Sequence, residues 1–125
     1  MKKMIIVTVG FLLLLTACAP NIGIFTDPGT QVVVKSGNRF TIELASNVTT
    51  GYSWEYGVPV DTDYLRVVKT YNKNPQSGLV GAGGTQGWIF ETVQPGTTSI
   101  NLVYKRPWEA SEPPNQIAVF NIEIQ

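Results

Sequence analysis

The chain contains no histidine, and its single cysteine is Cys18. Without histidine there is no Ser-His-Asp triad, no Cys-His nucleophile pair and no ordinary zinc site, because each needs an imidazole as base or ligand. One cysteine forbids a disulfide within the chain, so stability has to come from packing. Charge is also sparse: nine Lys and Arg stand against nine Asp and Glu, with no long run of one sign. Nothing here could track a phosphate backbone or an anionic lipid surface, and nucleic acid is not expected as a partner. Carboxylates do not fill the catalytic gap. Asp61 and Asp63 flank Thr62 without the further oxygen ligands and glycine of a calcium loop. Glu109 and Glu112 lie in a proline-rich stretch with no cleft expected around them. Gly81, Gly83 and Gly84 are followed by neither Lys-Ser/Thr nor a helical pattern, so they are not a phosphate loop. No metal or cofactor site emerges, and the chain is not expected to be an enzyme.

Long apolar runs are missing too, apart from one at the N-terminus. Residues 1–17 combine Lys2 and Lys3, an apolar run over 4–15 and small residues leading to Cys18, the pattern of a secretory signal peptide. The run is too short for a comfortable membrane span. Leu15-Thr16-Ala17-Cys18 resembles the bacterial lipobox, which implies cleavage before Cys18 and lipidation of its thiol. Ordinary cleavage, with Cys18 left as a spare thiol, is the other reading. The only cysteine stands at the one position that lipidation requires, and this favours the lipid. The expected layout is signal peptide over 1–17, lipidated Cys18 and tether over 18–30, and one folded domain over 31–125. Such a protein would be lipid-anchored in the bacterial cell envelope, in the outer membrane or facing the periplasm, and Ala19 after Cys18 favours the outer membrane. Loss of Lys2 and Lys3 from the nine basic residues leaves seven against nine acidic, a net charge of −2. A domain of about 100 residues can bury an adequate core without staples.

What the mature part does contain is alternation. Over Arg39 to Ala45, Phe40, Ile42 and Leu44 take one face and Arg39, Thr41 and Glu43 the other, the pattern of a half-buried antiparallel strand. Similar short runs appear at 31–35, 52–56 with Trp54, 65–71, 86–93 with Trp88 and Phe90, 99–105 with Ile100, Leu102 and Tyr104, and 117–124. Turn chemistry separates them: Ser36-Gly37-Asn38, Asn47 to Gly51, the long irregular stretch 72–84, Gln94-Pro95-Gly96-Thr97, and 106–115 with its three prolines. No helical period is sustained. About seven antiparallel strands in two sheets, an all-β immunoglobulin-like sandwich, follow from this pattern. With Greek-key connections, the loops at 47–51, 72–84 and 106–115 would gather at one end.

Those three loops carry the interesting residues. Asn47-Val48-Thr49-Thr50-Gly51-Tyr52 is a small-residue loop closing on aromatics, and by itself reads as a β-turn followed by a core strand. Gly81-Ala82-Gly83-Gly84 by itself reads as loop slack. Arg106-Pro107-Trp108 by itself offers a surface cation and a tryptophan that, following Arg-Pro rather than lying in an alternating strand, is expected to be exposed. Taken in order, N-x-T-T-G-Y, G-x-G-G and R-P-W resemble the chagasin-type inhibitors of papain-like cysteine proteases, over about residues 31–124.

The resemblance implies a reversible, non-covalent inhibitor whose partner is a papain-like cysteine protease, acting as a monomer. Asn47, Thr49, Thr50, Gly51 and Tyr52 would form the loop that enters the active-site cleft, with Gly51 letting the backbone pass close to the catalytic Cys–His pair. Gly81, Gly83 and Gly84 would lie against one wall, and Trp108, its approach set by Arg106 and Pro107, against the other. Val48 departs from the family pattern, which has proline there. Its absence loosens the free loop by about 0.4–1 kcal/mol of conformational freedom, of which the β-branched Val48 restores part. Two other readings compete: an exported carbohydrate-binding or adhesion sandwich using Trp108, Tyr52 and Tyr56 as a sugar platform, and a structural envelope lipoprotein. The sugar reading requires aromatics spread along one sheet face. The inhibitor reading requires them at one loop edge.

Overall fold

The structure is a computed structural model and describes residues 19–74 and 83–125. The lipobox and Cys18 therefore lie outside the described residues, as does Gly81. Among the described residues eight strands are present: β1 (Asn21–Phe25), β2 (Val32–Val34), β3 (Arg39–Ser46), β4 (Ser53–Tyr56), β5 (Leu65–Lys73), β6 (Gly84–Thr92), β7 (Gly96–Lys105) and β8 (Gln116–Ile124). They form two four-stranded sheets, β1-β3-β6-β5 and β2-β8-β7-β4. The sandwich is therefore all-β, as the alternation predicts.

The edge strands differ from the sequence reading. Asn21–Phe25, expected to belong to a tether, is a strand paired in parallel with β3. Its alternation is interrupted by Gly23, where the register shifts, and its Ile22 and Ile24 stay exposed, so it lacks the apolar period that marks the other strands. Phe25 nevertheless packs edge-on against Phe40, with ring centroids 6.4 Å apart. β2 likewise pairs in parallel with β8. Both sheets are thus mixed, each with one short parallel edge strand.

The core lies between the sheets and comes from the alternating positions. Phe40, Ile42 and Leu44 of β3 are buried, and Phe40 stacks on Phe90 of β6 at 5.4 Å. They meet Ile100, Leu102 and Tyr104 of β7 and Ala118, Phe120, Ile122 and Ile124 of β8. Thr41 breaks the pattern, being buried on the face assigned to solvent. Strand β1 lies beside it there, and Asn21 Nδ2 donates to Thr41 Oγ1 at 2.7 Å. Asp61 closes a turn by accepting the Asp63 N–H at 3.1 Å.

Strand register decides where the loops emerge. β3 ends at Ser46 opposite Gly84, and β5 ends at Lys73 opposite Thr85. β4 starts at Ser53 opposite Lys105, and β8 starts at Gln116 opposite Tyr104. The β3–β4, β5–β6 and β7–β8 connections therefore leave the sandwich at one pole. The N-terminal side of β1 sits at the other: Pro20 accepts the N–H of Arg39, the first residue of β3, at 2.8 Å.

Candidate functional site

The β3–β4 connection is a small, self-bonded turn. Val48–Thr50 form one 3-10 turn capped by Asn47, whose side-chain oxygen accepts the Thr49 N–H at 3.2 Å and the Thr49 hydroxyl at 2.5 Å. The Thr50 hydroxyl and N–H both donate to the Asn47 carbonyl, at 2.6 and 3.2 Å. Asparagine suits this position because its side chain replaces the partner that the first helical amides lack. Thr49 and Thr50 are exposed, but their hydroxyl protons are committed within the loop.

Gly51 then reverses the chain with φ +80°, a conformation costly for any residue carrying a Cβ. It has a second reason to be glycine. A Cβ there would fall 2.3 Å from Cη2 of Trp108, so the indole of the β7–β8 connection rests directly on the Gly51 backbone. Trp108 is still 69% exposed and Pro107 beside it is exposed. The expectation that Trp108 points outward holds. What the sequence did not reveal is that the glycine and the tryptophan of separate motifs are seated on each other.

Arg106 does the same for the rest of the loop. Its Nε donates to the Thr50 carbonyl at 3.2 Å, and its guanidinium lies 4.6 Å from the centroid of the Tyr52 ring. Nη1 reaches Glu109 Oε1 at 3.3 Å, a pair about one-third exposed and worth little by itself. The ion pair orients a cation whose backbone and ring contacts join the first and third loops. Tyr52 in turn stacks on Tyr104, with centroids 5.3 Å apart, and Trp54 packs on Tyr104 at 5.0 Å.

The middle motif is divided. Gly83 is exposed, with open space where a Cβ would stand. Gly84 is already the first residue of β6, paired with Ser46, and a Cβ there would come within 2.4 Å of the Lys73 carbonyl oxygen. Its glycine has a packing reason, the close approach of β5. Gly83 and Gly84 share a shallow groove with Ala45, Ser46, Asn47, Tyr104 and Gln116, which brings the second motif beside the first.

Two residues outside the motifs hold the roots of the first loop. The Tyr104 hydroxyl accepts the Asn47 N–H at 3.0 Å. Gln86 points from β6 across the sandwich and makes a two-bond bridge with Trp54: its Oε1 accepts the Trp54 N–H at 2.9 Å and its Nε2 donates to the Trp54 carbonyl at 2.8 Å. The Trp54 indole N–H donates to the Ala45 carbonyl at 2.9 Å, tying the strand after the loop to the strand before it. The sequence carried faint signals for both. Gln86 is polar at an inward position two residues before Trp88, and Tyr104 ends an otherwise aliphatic inward row; each needs a buried partner. Neither signal says which partner.

The aromatics form no platform. Tyr52 is engaged by Tyr104 and Arg106, Tyr56 is half-buried on the core, and Trp108 alone among the described aromatics stands exposed, at the loop pole. Nothing supports the sugar-binding reading.

Residues 33–124 match the family model of the chagasin family peptidase inhibitors, I42. Chagasin of Trypanosoma cruzi is 36% identical over 83 residues, covering 64% of this chain and 76% of chagasin. Amoebiasin-2 of Entamoeba histolytica is 29% identical over 117 residues, covering 92% and 95% of the two chains. The crystal structure of the cysteine protease inhibitor EhICP2 from Entamoeba histolytica superposes with a TM-score of 0.71 at 28% identity, covering 84% of this chain and 96% of that one.

Proposed function

The chain belongs to the chagasin family of peptidase inhibitors, and from that membership we propose that it inhibits papain-like cysteine proteases reversibly, without a covalent step, by filling the active-site cleft from its loop pole. The observation that carries the reading is the seating of Trp108 on Gly51: a large exposed anchor and the tip of the central loop form one preassembled edge. Tryptophan and arginine dominate interface hot spots, and an edge already ordered loses little freedom on binding. In this reading Thr49, Thr50 and Gly51 enter the cleft, Gly81, Gly83 and Gly84 meet one wall and Trp108 the other, while Arg106 and Pro107 hold the tryptophan in place.

Resistance to cleavage has a local cause. The tip is a 3-10 turn followed by a positive-φ glycine, not an extended segment, and the Thr50 carbonyl is held by Arg106. A protease that needs an extended peptide with a free carbonyl finds neither. The bacterial lipoprotein form is part of the proposal: lipidated Cys18 anchors the protein in the cell envelope, in the outer membrane or facing the periplasm. Support comes from the lipobox-like Leu15-Thr16-Ala17-Cys18; Pro20, two residues on, lies at the pole opposite the loops.

Titration of papain with the full chain in mild detergent tests the inhibitor reading. Tight, reversible inhibition that survives prolonged incubation without cleavage of the chain is expected. Absence of inhibition at micromolar, folded protein would overturn it. Metabolic labelling with palmitate, abolished by Cys18→Ala, tests the anchor separately.

A further inference from the structure

Tyr104 belongs to none of the three loops, yet it touches the first and the third. Its hydroxyl accepts the Asn47 N–H where the first loop begins, and its backbone carbonyl accepts the Asn115 N–H where the third loop ends, at 3.0 and 2.8 Å. Its ring stands next to Trp54 in the core and to Tyr52 at the loop. Arg106 lies on Tyr52 and bonds the Thr50 carbonyl. An unbroken series of contacts therefore runs from the core through Tyr104 to the tip of the first loop. A residue that merely filled the core at this position would need no hydroxyl, since Ile100 and Leu102 fill the preceding inward positions of the same strand with aliphatic groups.

We propose that Tyr104 is a positioning residue for inhibition: its hydroxyl, by holding the Asn47 amide, keeps the first loop in the one conformation that Trp108 and Arg106 can grip. The proposal rests on the inhibitor reading for its consequence but not for its geometry. With the hydroxyl removed, the Asn47 amide loses its acceptor and the loop samples other arrangements. Apparent affinity then falls in proportion to the fraction of competent loop.

The test is Tyr104→Phe in the full chain, which keeps the ring and removes the oxygen. Ile122→Val, a buried change on β8 away from the loop pole, serves as the control for general destabilisation. Two readouts are taken: the inhibition constant against papain, and amide hydrogen exchange resolved at Asn47, Thr49 and Thr50 against Phe120 and Ile122. Expected for Tyr104→Phe is inhibition weakened by roughly 5- to 20-fold, from loss of one part-buried hydrogen bond, with faster exchange confined to the loop. Ile122→Val should leave inhibition near wild type, with any faster exchange falling on the core amides and not on the loop alone. Wild-type inhibition by Tyr104→Phe, or faster exchange spread evenly over loop and core, would overturn the proposal. If the wild-type chain itself does not inhibit papain, the inhibitor reading fails on that result, and the exchange data alone decide: acceleration confined to the loop upholds the positioning role, and its absence overturns it.

Discussion

The loop pole and the outer face of the β1-β3-β6-β5 sheet both carry polar side chains, but they use them differently. On the outer face, side chains bond to one another. Glu91 takes Arg66 at 2.7 Å and Arg39 at 2.9 Å, and Glu43 takes Tyr71 at 2.5 Å and Lys73 at 2.8 Å. At the loop pole, side chains bond chiefly to backbone: Tyr104 to Asn47, Gln86 to Trp54, Arg106 to Thr50 and the Trp54 indole to Ala45. Strand backbone is already satisfied by its ladder, so outer-face side chains add little to its definition. Loop backbone, and strand backbone at the open edges of β3 and β4, has no ladder partner, and each side chain that supplies one removes a degree of freedom from it. The first region solvates a sheet; the second defines a binding edge.

The sharpest break of that contrast is Gly51→Ala. It forces a Cβ into the Trp108 indole and strains a positive φ, so inhibition of papain should fall by about 100-fold or more, in line with the loss of a hot-spot anchor. The thermal midpoint should move far less. Trp108→Ala should weaken inhibition by at least about 30-fold on the same grounds, again with little change in stability because the side chain is mostly exposed. Once Trp108 is gone, Gly51→Ala should cost less than it does alone, since the collision has been removed; a double-mutant cycle reads this coupling.

Gln86→Leu should cost about 1–3 kcal/mol in urea unfolding by leaving the Trp54 N–H and carbonyl without partners, with weaker inhibition in its wake. The outer face should show the opposite signature, stability without inhibition. Lys73 and then Tyr71 hold the Glu43 carboxyl below its usual 4.5, and Arg66 and then Arg39 do the same for Glu91. Unfolding returns both towards 4.5, so below that pH the unfolded chain binds more protons than the folded one. Stability is therefore fully present above about 4.5 and falls as the pH drops through the lowered values. Urea midpoints at a series of pH values check this, and Glu43→Gln should flatten part of the slope. Burial and Glu43 together push Tyr71 up to about 12, so it stays a donor throughout that range.

The smallest effect expected is a gain. Position 48 opens the 3-10 turn, where proline's missing N–H and fixed φ are tolerated. Val48→Pro should tighten inhibition by up to about five-fold, from roughly 0.4–1 kcal/mol of reduced freedom in the free loop.

Much of this architecture was legible in advance, and the limits of that legibility have a pattern. Phe40, Ile42 and Leu44, or Ile100 and Leu102, announce buried faces because strand periodicity is local and repeats every two residues. Strand β1 escaped because an edge strand broken by Gly23 and exposing Ile22 and Ile24 leaves no such period. Trp108 could be placed outside because Arg-Pro precedes it, but its seat could not be foreseen. Gly84 looked like loop, whereas pairing with Ser46 makes it strand and the approach of the Lys73 carbonyl requires glycine there.

By itself, then, the sequence determined that the chain is a β-sandwich without histidine, without a disulfide and with three motifs in a family's order. Composition and period-two alternation are readable one neighbour at a time. Only the tertiary structure decided that Trp108 rests on Gly51, that Gln86 bridges to Trp54 and that Tyr104 holds Asn47. Gln86 and Trp54 are 32 residues apart, and Tyr104 and Asn47 are 57 apart. Contacts at such separations depend on which sheet each strand joins and in what register, and no local pattern along the chain encodes that.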